Sequence, residues 1–482
     1  MKSITEPKLI ITLKTLSRAE MRAFQSFCSD SMWNKNKKLI TLSAYLLQQH
    51  PRFPEDKINR ISVFGMLFPE RSYDDQQMRD AFSQLRKLLN SFLSICNMRR
   101  DGFLNQYLLL RELNFRDLSA GFRQAVNKAE ASGKKENSGI DRYRNLLALE
   151  NEKMIFNEKR FIDTHTLNIK YGYKNMLDAL NIHYLLELYS VGTAIRLEEQ
   201  TTRRTDHIPM KKLLRISSLI RELVPGDNLL VGLNRLLYDF NDQPNVSTYK
   251  SLFESVIQRG DQLPDYEFTA SIKALTAFCL KELRTGAEEY NHDLHFLYMK
   301  LLERGSHIEN GVMSSALFKS MFFCSVLIGK FAHANKLIRD YGGLMIESAR
   351  AGTIALCKAY AYFHKKMFKE SLRELGLVTF ENDFRKLDHK NMLLLIYFER
   401  KDHEAFYSQV NSYKQMLRKG VNVPLDLQKA CTNLVKFSAL LYRIQTGVTS
   451  DTPEMLEKKV MGLKDIVYKS WLLNKIKELR PR

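Results

Sequence analysis

Gly329-Lys330-Phe331-Ala332-His333-Ala334 recurs thirty-seven residues later as Lys366-Met367-Phe368-Lys369-Glu370-Ser371, and thirty-four after that as Arg400-Lys401-Asp402-His403-Glu404-Ala405. Each copy stands between two runs whose apolar residues recur at helical spacing, so each reads as the joint of a helical hairpin. The small residue (Ala334, Ser371, Ala405) lets the two helices approach closely, and the aromatic (Phe331, Phe368) covers the joint. Only the first copy has the glycine, and the third has lost the aromatic. A unit of this length buries its apolar stripe only against the next unit in line. The expectation is an all-α chain, an α-solenoid of antiparallel hairpins, with its clearest repeats over residues 311–417.

Working outward, turn signals fall at Pro209, Pro225-Gly226-Asp227, Asn241 to Asn245, Gly260 to Pro264, Gly305, Gly342-Gly343, Gly420 to Pro424 and Gly447 to Pro453. One or two helices fit between neighbouring breaks. Twenty-one Gly and eleven Pro in 482 residues is little more than half of the roughly 12% of average usage. A chain so poor in turn residues spends its length in long elements with short joints. In period and in the glycine–aromatic–small turn, residues 311–417 resemble the tetratricopeptide family. That resemblance implies a concave groove that holds a peptide or helix of a partner protein. The expected division is a basic helical region over 1–100 and a helical array over 101–482. Ala131-Ser132-Gly133-Lys134-Lys135-Glu136-Asn137-Ser138-Gly139 reads as a loop or soft boundary.

The formal charge is +20, which favours an acidic partner or a well-solvated basic surface. Residues 1–100 carry 17 Lys and Arg against 9 Asp and Glu, more than twice the excess per residue found in the remainder. Six cysteines, Cys28, Cys96, Cys279, Cys324, Cys357 and Cys431, form no CxxC pair and read as reduced core residues. The opening MKSITEPKLIITLKTL lacks an apolar leader core, and no run approaches the ~20 residues of a membrane span. These features read as cytoplasmic, with no membrane span.

In the N-terminal region, Ser17 with Glu20 predicts a capped helix to about Ser29. Helices follow at Lys38 to Gln49 and Glu55 to Phe68, and Asp74 opens a fourth that runs to Cys96. This fourth helix buries Met78, Phe82, Leu85, Leu89 and Phe92. Its outer face carries Gln76, Arg79, Ser83, Arg86, Lys87 and Asn90, a set able to lie along a groove of nucleic acid. The text from Leu67-Phe68-Pro69-Glu70 through Leu85-Arg86-Lys87 resembles the recognition-helix segment of winged-helix, helix-turn-helix domains in response-regulator-type transcription factors. Leu16-Ser17-Arg18-Ala19-Glu20 is similar to the start of their first helix. No hairpin wing follows, because Asn97 to Leu118 reads as helix. Leu16-Ser17 with Glu20-Met21-Arg22 and Phe24, taken with Leu67-Phe68-Pro69, also resembles an uncharacterised family of bacterial helical proteins. That likeness implies a bacterial cytosolic origin and no assigned activity.

No HExxH, Walker loop, GxGxxG or GxSxG is present. His292-Asp293-Leu294-His295 pairs two histidines without a third ligand nearby, and acidic pairs such as Asp74-Asp75 read as helix caps. No catalytic residue, metal ligand or cofactor is assigned. Lys469 to Arg482, with Trp471, Leu472, Leu473 and Ile476, reads as a helix capping the array or as a second contact for acidic partners. The expectation is a non-enzymatic scaffold that binds a protein or peptide. The alternative is a regulator whose basic fourth helix binds DNA or RNA. The oligomeric state and the groove-facing residues among Arg350, Tyr360 and Tyr362 are not legible.

Overall fold

The structure, a computed structural model, describes residues 8–480 apart from 55–56, 137–138, 165–171, 203–209, 225, 227, 310, 381 and 464. The described residues are helical throughout, apart from one two-residue hairpin. They divide into two compact units, 1–180 and 181–482, and the division falls inside a single helix.

In the first unit the helices are α1 (Lys8–Lys14), α2 (Arg18–Ser29), α3 (Lys37–Gln49), α4 (Arg60–Leu67), α5 (Asp75–Arg100), α6 (Gly102–Phe115), α7 (Ser119–Glu136) and α8 (Ile140–Thr164), with α9 (Tyr173–Thr202) continuing into the second. Local chemistry sets their starts. Ser17 Oγ accepts from the Glu20 amide, and Glu20 accepts from the Ser17 amide, which closes the expected capping box. Those hydrogen bonds, with Arg100 2.6 Å away, hold the Glu20 carboxyl below its ordinary range. Asp74 accepts from the Gln76 and Gln77 amides and starts α5. The third predicted helix begins later than Glu55, because Asn59 caps α4 at Arg60. Glu55 and Asp56 lie outside the described residues. The first five helices bury a core that includes Phe24, Leu42, Phe64, Leu85 and Leu89. A smaller core of Phe122, Phe156, Leu110 and Leu149 joins α6, α7 and α8.

The stretch expected as a loop from Ala131 is the last part of α7, which runs to Glu136. Phe122, Ala125, Val126 and Ala129 are buried along one side of that helix, and a packed stripe carries a helix through a late glycine at a cost of about 1 kcal/mol. Asn137 and Ser138 lie outside the described residues, as do the sequence breaks at Pro209, Pro225 and Asp227.

The second unit continues with α10 (Met210–Glu222), α11 (Leu229–Asp242), α12 (Val246–Arg259), α13 (Asp265–Thr285), α14 (Tyr290–Glu303), the strands β1 (Ile308–Glu309) and β2 (Val312–Met313), and then α15 (Ser315–Leu327), α16 (Phe331–Tyr341), α17 (Glu347–His364), α18 (Phe368–Leu375), α19 (Asp383–Glu399), α20 (His403–Lys419), α21 (Leu425–Gln445), α22 (Pro453–Met461) and α23 (Lys469–Glu478). The strands pair antiparallel, Ile308 with Met313 and Glu309 with Val312. Most helices adjacent in sequence pack together, and α15, α17, α19 and α21 also touch along a second row, as α11 and α13 do. One continuous core runs from Leu233 to Ile476. All six cysteines are free, and all but the half-buried Cys96 are buried. No helix among the described residues is long and apolar enough to cross a membrane.

Candidate functional site

The helix ends that precede the three repeated motifs share one backbone device. α15 ends with Gly329 at φ +77°, where the Lys330 amide reaches back to the Ser325 carbonyl at 2.8 Å. Lys366 at φ +59° and Lys401 at φ +53° do the same, with Met367 bonded to Tyr362 and Asp402 to Tyr397. Gly286 and Gly447 repeat the bond. A left-handed residue after the last turn satisfies the orphan carbonyls of the helix end. Five residues beyond it stand the buried Ala334 and Ser371. In the third joint that position holds Phe406, and Ala405 is half-buried with its amide capped by Asp402. The third motif is therefore registered one residue later in the structure than in the sequence. Phe331 is half-buried with Lys365 over its ring, and Phe368 lies 6.0 Å from Phe363, so both aromatics cover their joints.

On α5 the six outward residues Gln76, Arg79, Ser83, Arg86, Lys87 and Asn90 are all exposed. The structure places them on one side of the helix. Arg79 is held by Asp75 at 2.8 Å and Gln76 by Asp80 at 3.0 Å. Asn36, at the start of α3, donates to Gln84 on α5. The buried side is Met78, Ala81, Leu85, Leu89 and Phe92, with Phe82 half-buried.

Among the concave sites of the second unit, two are the most extensively lined. The larger, a cavity of about 600 Å³, opens between α9, α11 and α13. Its floor is made by α13, where Tyr266, Ala270, Lys273, Ala277 and Lys281 recur at helical spacing on one face. Ala270, Ala274 and Ala277 keep the floor low. Leu197 on α9 and Leu237 and Phe240 on α11 supply apolar walls. Tyr266 is 73% exposed and Leu197 46%, so large apolar side chains stand open at its rim. The sequence did not single out this groove, because its walls come from helices up to ninety residues apart.

The second cavity, about 450 Å³, lies against α23. Here the chain's last helix rests on the preceding helices. Trp471 donates to Glu399 at 2.7 Å, and Lys475 pairs with the other oxygen of that carboxylate at 2.9 Å. Burial opposes the Lys475 charge, but Glu399 and Glu478 outweigh it and raise its pKa. Phe398 meets the Trp471 ring edge-on at 5.2 Å, and Tyr468 donates to the Met392 sulfur. Leu472 and Ile476 are fully buried. Of the three residues left open by the sequence, Tyr360 is buried and lines this cavity. Tyr362 is half-buried, and Arg350 is tied to the carbonyls of Gly343 and Met345.

One buried polar cluster of the first unit is engaged internally. Lys153 lies 2.6 Å from Glu130 and 2.8 Å from Glu150. Burial pulls against its charge, and the two carboxylates more than compensate, raising its pKa. Glu150 also accepts from the Gly172 amide, and Glu152 from Asn114. His295 is buried beside His333, ring to ring at 5.3 Å, and desolvation with the nearby Lys330 pushes its pKa down to about 4. Among the described residues no group of three His, Cys, Asp or Glu side chains is placed to hold a metal ion. No protein family, curated protein or solved structure matches this chain.

Proposed function

We propose that the chain is a non-enzymatic, tetratricopeptide-like α-solenoid that binds a helix or peptide of a protein partner in its groove. The recurring left-handed joints at Gly286, Gly329, Lys366, Lys401 and Gly447 support the repeat reading, as does the row of contacts through α15, α17, α19 and α21. The observation that carries the binding reading is the open apolar groove over α9, α11 and α13. Helix-in-groove recognition needs such a trough with a low floor and aromatic or aliphatic walls. The seating of α23 on Glu399 and Phe398 is an internal instance of one helix held against this array.

A photo-reactive residue in place of Leu197 is expected to cross-link a polypeptide partner, while one in place of the exposed Lys250 on α12 is not. Ala277→Trp fills the trough and is expected to abolish the adduct with the helical circular dichroism unchanged. Equal adducts from positions 197 and 250 would overturn the reading.

The second reading, nucleic-acid binding through α5, is favoured by the single exposed face that holds Arg86 and Lys87 together with Gln76, Ser83 and Asn90. Arg79 contributes less charge there because Asp75 neutralises it. Binding by that face should weaken steeply with salt and disappear in the Arg79→Ala, Arg86→Ala, Lys87→Ala triple variant. Retention of parental binding by the triple variant would remove this reading.

A further inference from the structure

We infer that α10 seats the protein on an anionic lipid surface, with Ile216, Leu219 and Leu223 among the acyl chains and the cations beside them at the headgroups. The inference stands apart from the groove over α9, α11 and α13 and does not need it.

α10 reads Met210-Lys211-Lys212-Leu213-Leu214-Arg215-Ile216-Ser217-Ser218-Leu219-Ile220-Arg221-Glu222. A surface helix of a folded protein turns its apolar stripe toward the core. This one turns only part of it inward. Met210 and Ser217 are its buried residues, Tyr189 of α9 donates to Ser217, and Val224 is buried just past its end. Leu213, Leu214 and Ile220 are half-buried. Ile216 is 48% exposed and Leu219 64%, and Leu223, in the turn that follows, is 66% exposed. Lys212, Ile216, Leu219 and Leu223 recur at helical spacing, so one outward side carries an amine followed by three aliphatic side chains. Lys211 and Arg215 are exposed beside it, and none of these three cations forms an ion pair with a described residue. Glu222 is the only acid of the helix.

Charge and shape together select the occupant. The unpaired cations match an anionic partner, and the aliphatic side chains match an apolar one. Nucleic acid meets the first condition and not the second, since Ile216, Leu219 and Leu223 offer phosphates and base edges no donor. A second copy docked face to face would bring two sets of Lys212 and Arg215 into one interface. A partner helix needs walls to hold it, and Ile216, Leu219 and Leu223 line neither cavity described above. A bilayer needs no walls. A helix lying along the protein surface, with aliphatic side chains on one side and Lys and Arg next to them, is the form that settles at headgroup depth.

The test uses the full chain and vesicles of phosphatidylcholine with or without phosphatidylglycerol, separated by sedimentation. Each Lys or Arg close to an anionic leaflet adds about fivefold in affinity, so three should favour the anionic vesicles by about a hundredfold. The Lys211→Gln, Lys212→Gln, Arg215→Gln chain should lose most of that preference, and full retention would count against α10 as the contact. Leu219→Ser with Leu223→Ser should weaken binding to the anionic vesicles by about thirtyfold. Circular dichroism should not change, because both side chains already face water. A chain held only by its +20 charge would bind as tightly after the serine changes, and that result would overturn the inference. Leu219→Trp gives a second readout. Brominated acyl chains should quench its emission beyond that of Trp33 and Trp471, and no added quenching would show that α10 stays outside the bilayer. A concentration-dependent dimer abolished by the serine changes would overturn the lipid assignment in favour of a second copy. Cross-linking of an acidic protein from position 219 that vesicles fail to compete away would overturn it in favour of a protein partner.

Discussion

Gly352→Ala should destabilise the second unit, against the sign of helix propensity. Gly352 is a buried interior residue of α17. In an ordinary helix interior alanine gains about 0.5–1 kcal/mol over glycine. At this position a Cβ would stand 2.6 Å from Thr379 Oγ1, 2.8 Å from Arg385 Nη1 and 3.1 Å from the Thr379 carbonyl. Something must move, and the guanidinium is the movable part. Arg385 is only 6% exposed, and it donates to the Thr379 carbonyl at 3.1 Å, to Thr353 Oγ1 at 2.7 Å and to the Ala349 carbonyl at 3.3 Å. Each hydrogen bond from a charged group is worth about 1.5–3 kcal/mol. Losing two and regaining the propensity term leaves a net cost of about 2–5 kcal/mol. Urea unfolding followed by circular dichroism reads this as a lower midpoint at an unchanged slope. Gly232→Ala in α11 is the matched control, because its Cβ would meet nothing within 4 Å; it should be neutral or stabilising by up to about 1 kcal/mol. A Gly352→Ala chain as stable as the parent, beside a control that behaves, would refute the claim that this glycine exists for the close approach of Thr379 and Arg385.

Gly329→Ala should cost about 1–2 kcal/mol from backbone strain alone, since its φ is +77° and a Cβ there meets nothing within 4 Å; Lys366→Gly should move in the opposite direction, and equal urea midpoints for both would count against the shared joint. Lys153→Met leaves Glu150 buried without its amine and should destabilise the first unit by about 3 kcal/mol, read as faster amide exchange in α6 to α8. His295 has a folded pKa of about 4 against an ordinary 6.5, so the unfolded chain binds the proton first and the stability held above pH 6.5 is lost as pH falls from 6.5 toward 4. His295→Leu should flatten that acid slope in a thermal-midpoint series, and an unchanged slope would remove His295 as its source.

What the sequence makes legible is local. Ser17 with Glu20 and Asp74 announce their helices because a cap is a contact within three residues. The stripe of α5 is visible because helical spacing alone puts Met78, Leu85 and Leu89 on one side, and with it the exposed face of Arg86 and Lys87. Gly121 gives no sign in sequence of its role, and the chain breaks earlier, at Asp117 with φ +61°. Gly121 lies inside α7, where a Cβ would come 3.2 Å from Leu113. Its absence of side chain serves the approach of α6 rather than a turn. Lys401 shows the same limit from the other direction. Nothing in a lysine signals a left-handed backbone, so the third joint is aligned on Arg400 and Ala405, whereas Lys401 and Phe406 occupy the structural positions. α1 is missed because seven residues are too few to show a period. The groove is out of reach altogether, since Leu197, Phe240 and Ala277 meet only after three helices have packed.

The C-terminal helix carries the argument about function further than any motif does. Trp471, Leu472 and Ile476 could belong to any amphipathic helix, and three lysines beside them invite the guess of an acidic partner. The structure resolves part of that choice: the acid that Lys475 meets is Glu399 of the same chain, and Trp471 shares it. Lys475 is satisfied internally and so has less to offer an outside acidic partner. The open groove of the second unit is lined on its α13 side by Ala270, Ala274 and Ala277. Alanines at Ala270, Ala274 and Ala277 leave that groove unfilled, whereas between α15 and α17 Phe323 stacks on Tyr360 at 3.8 Å. The unfilled trough is where the physical chemistry of this fold leaves room for something outside the described chain.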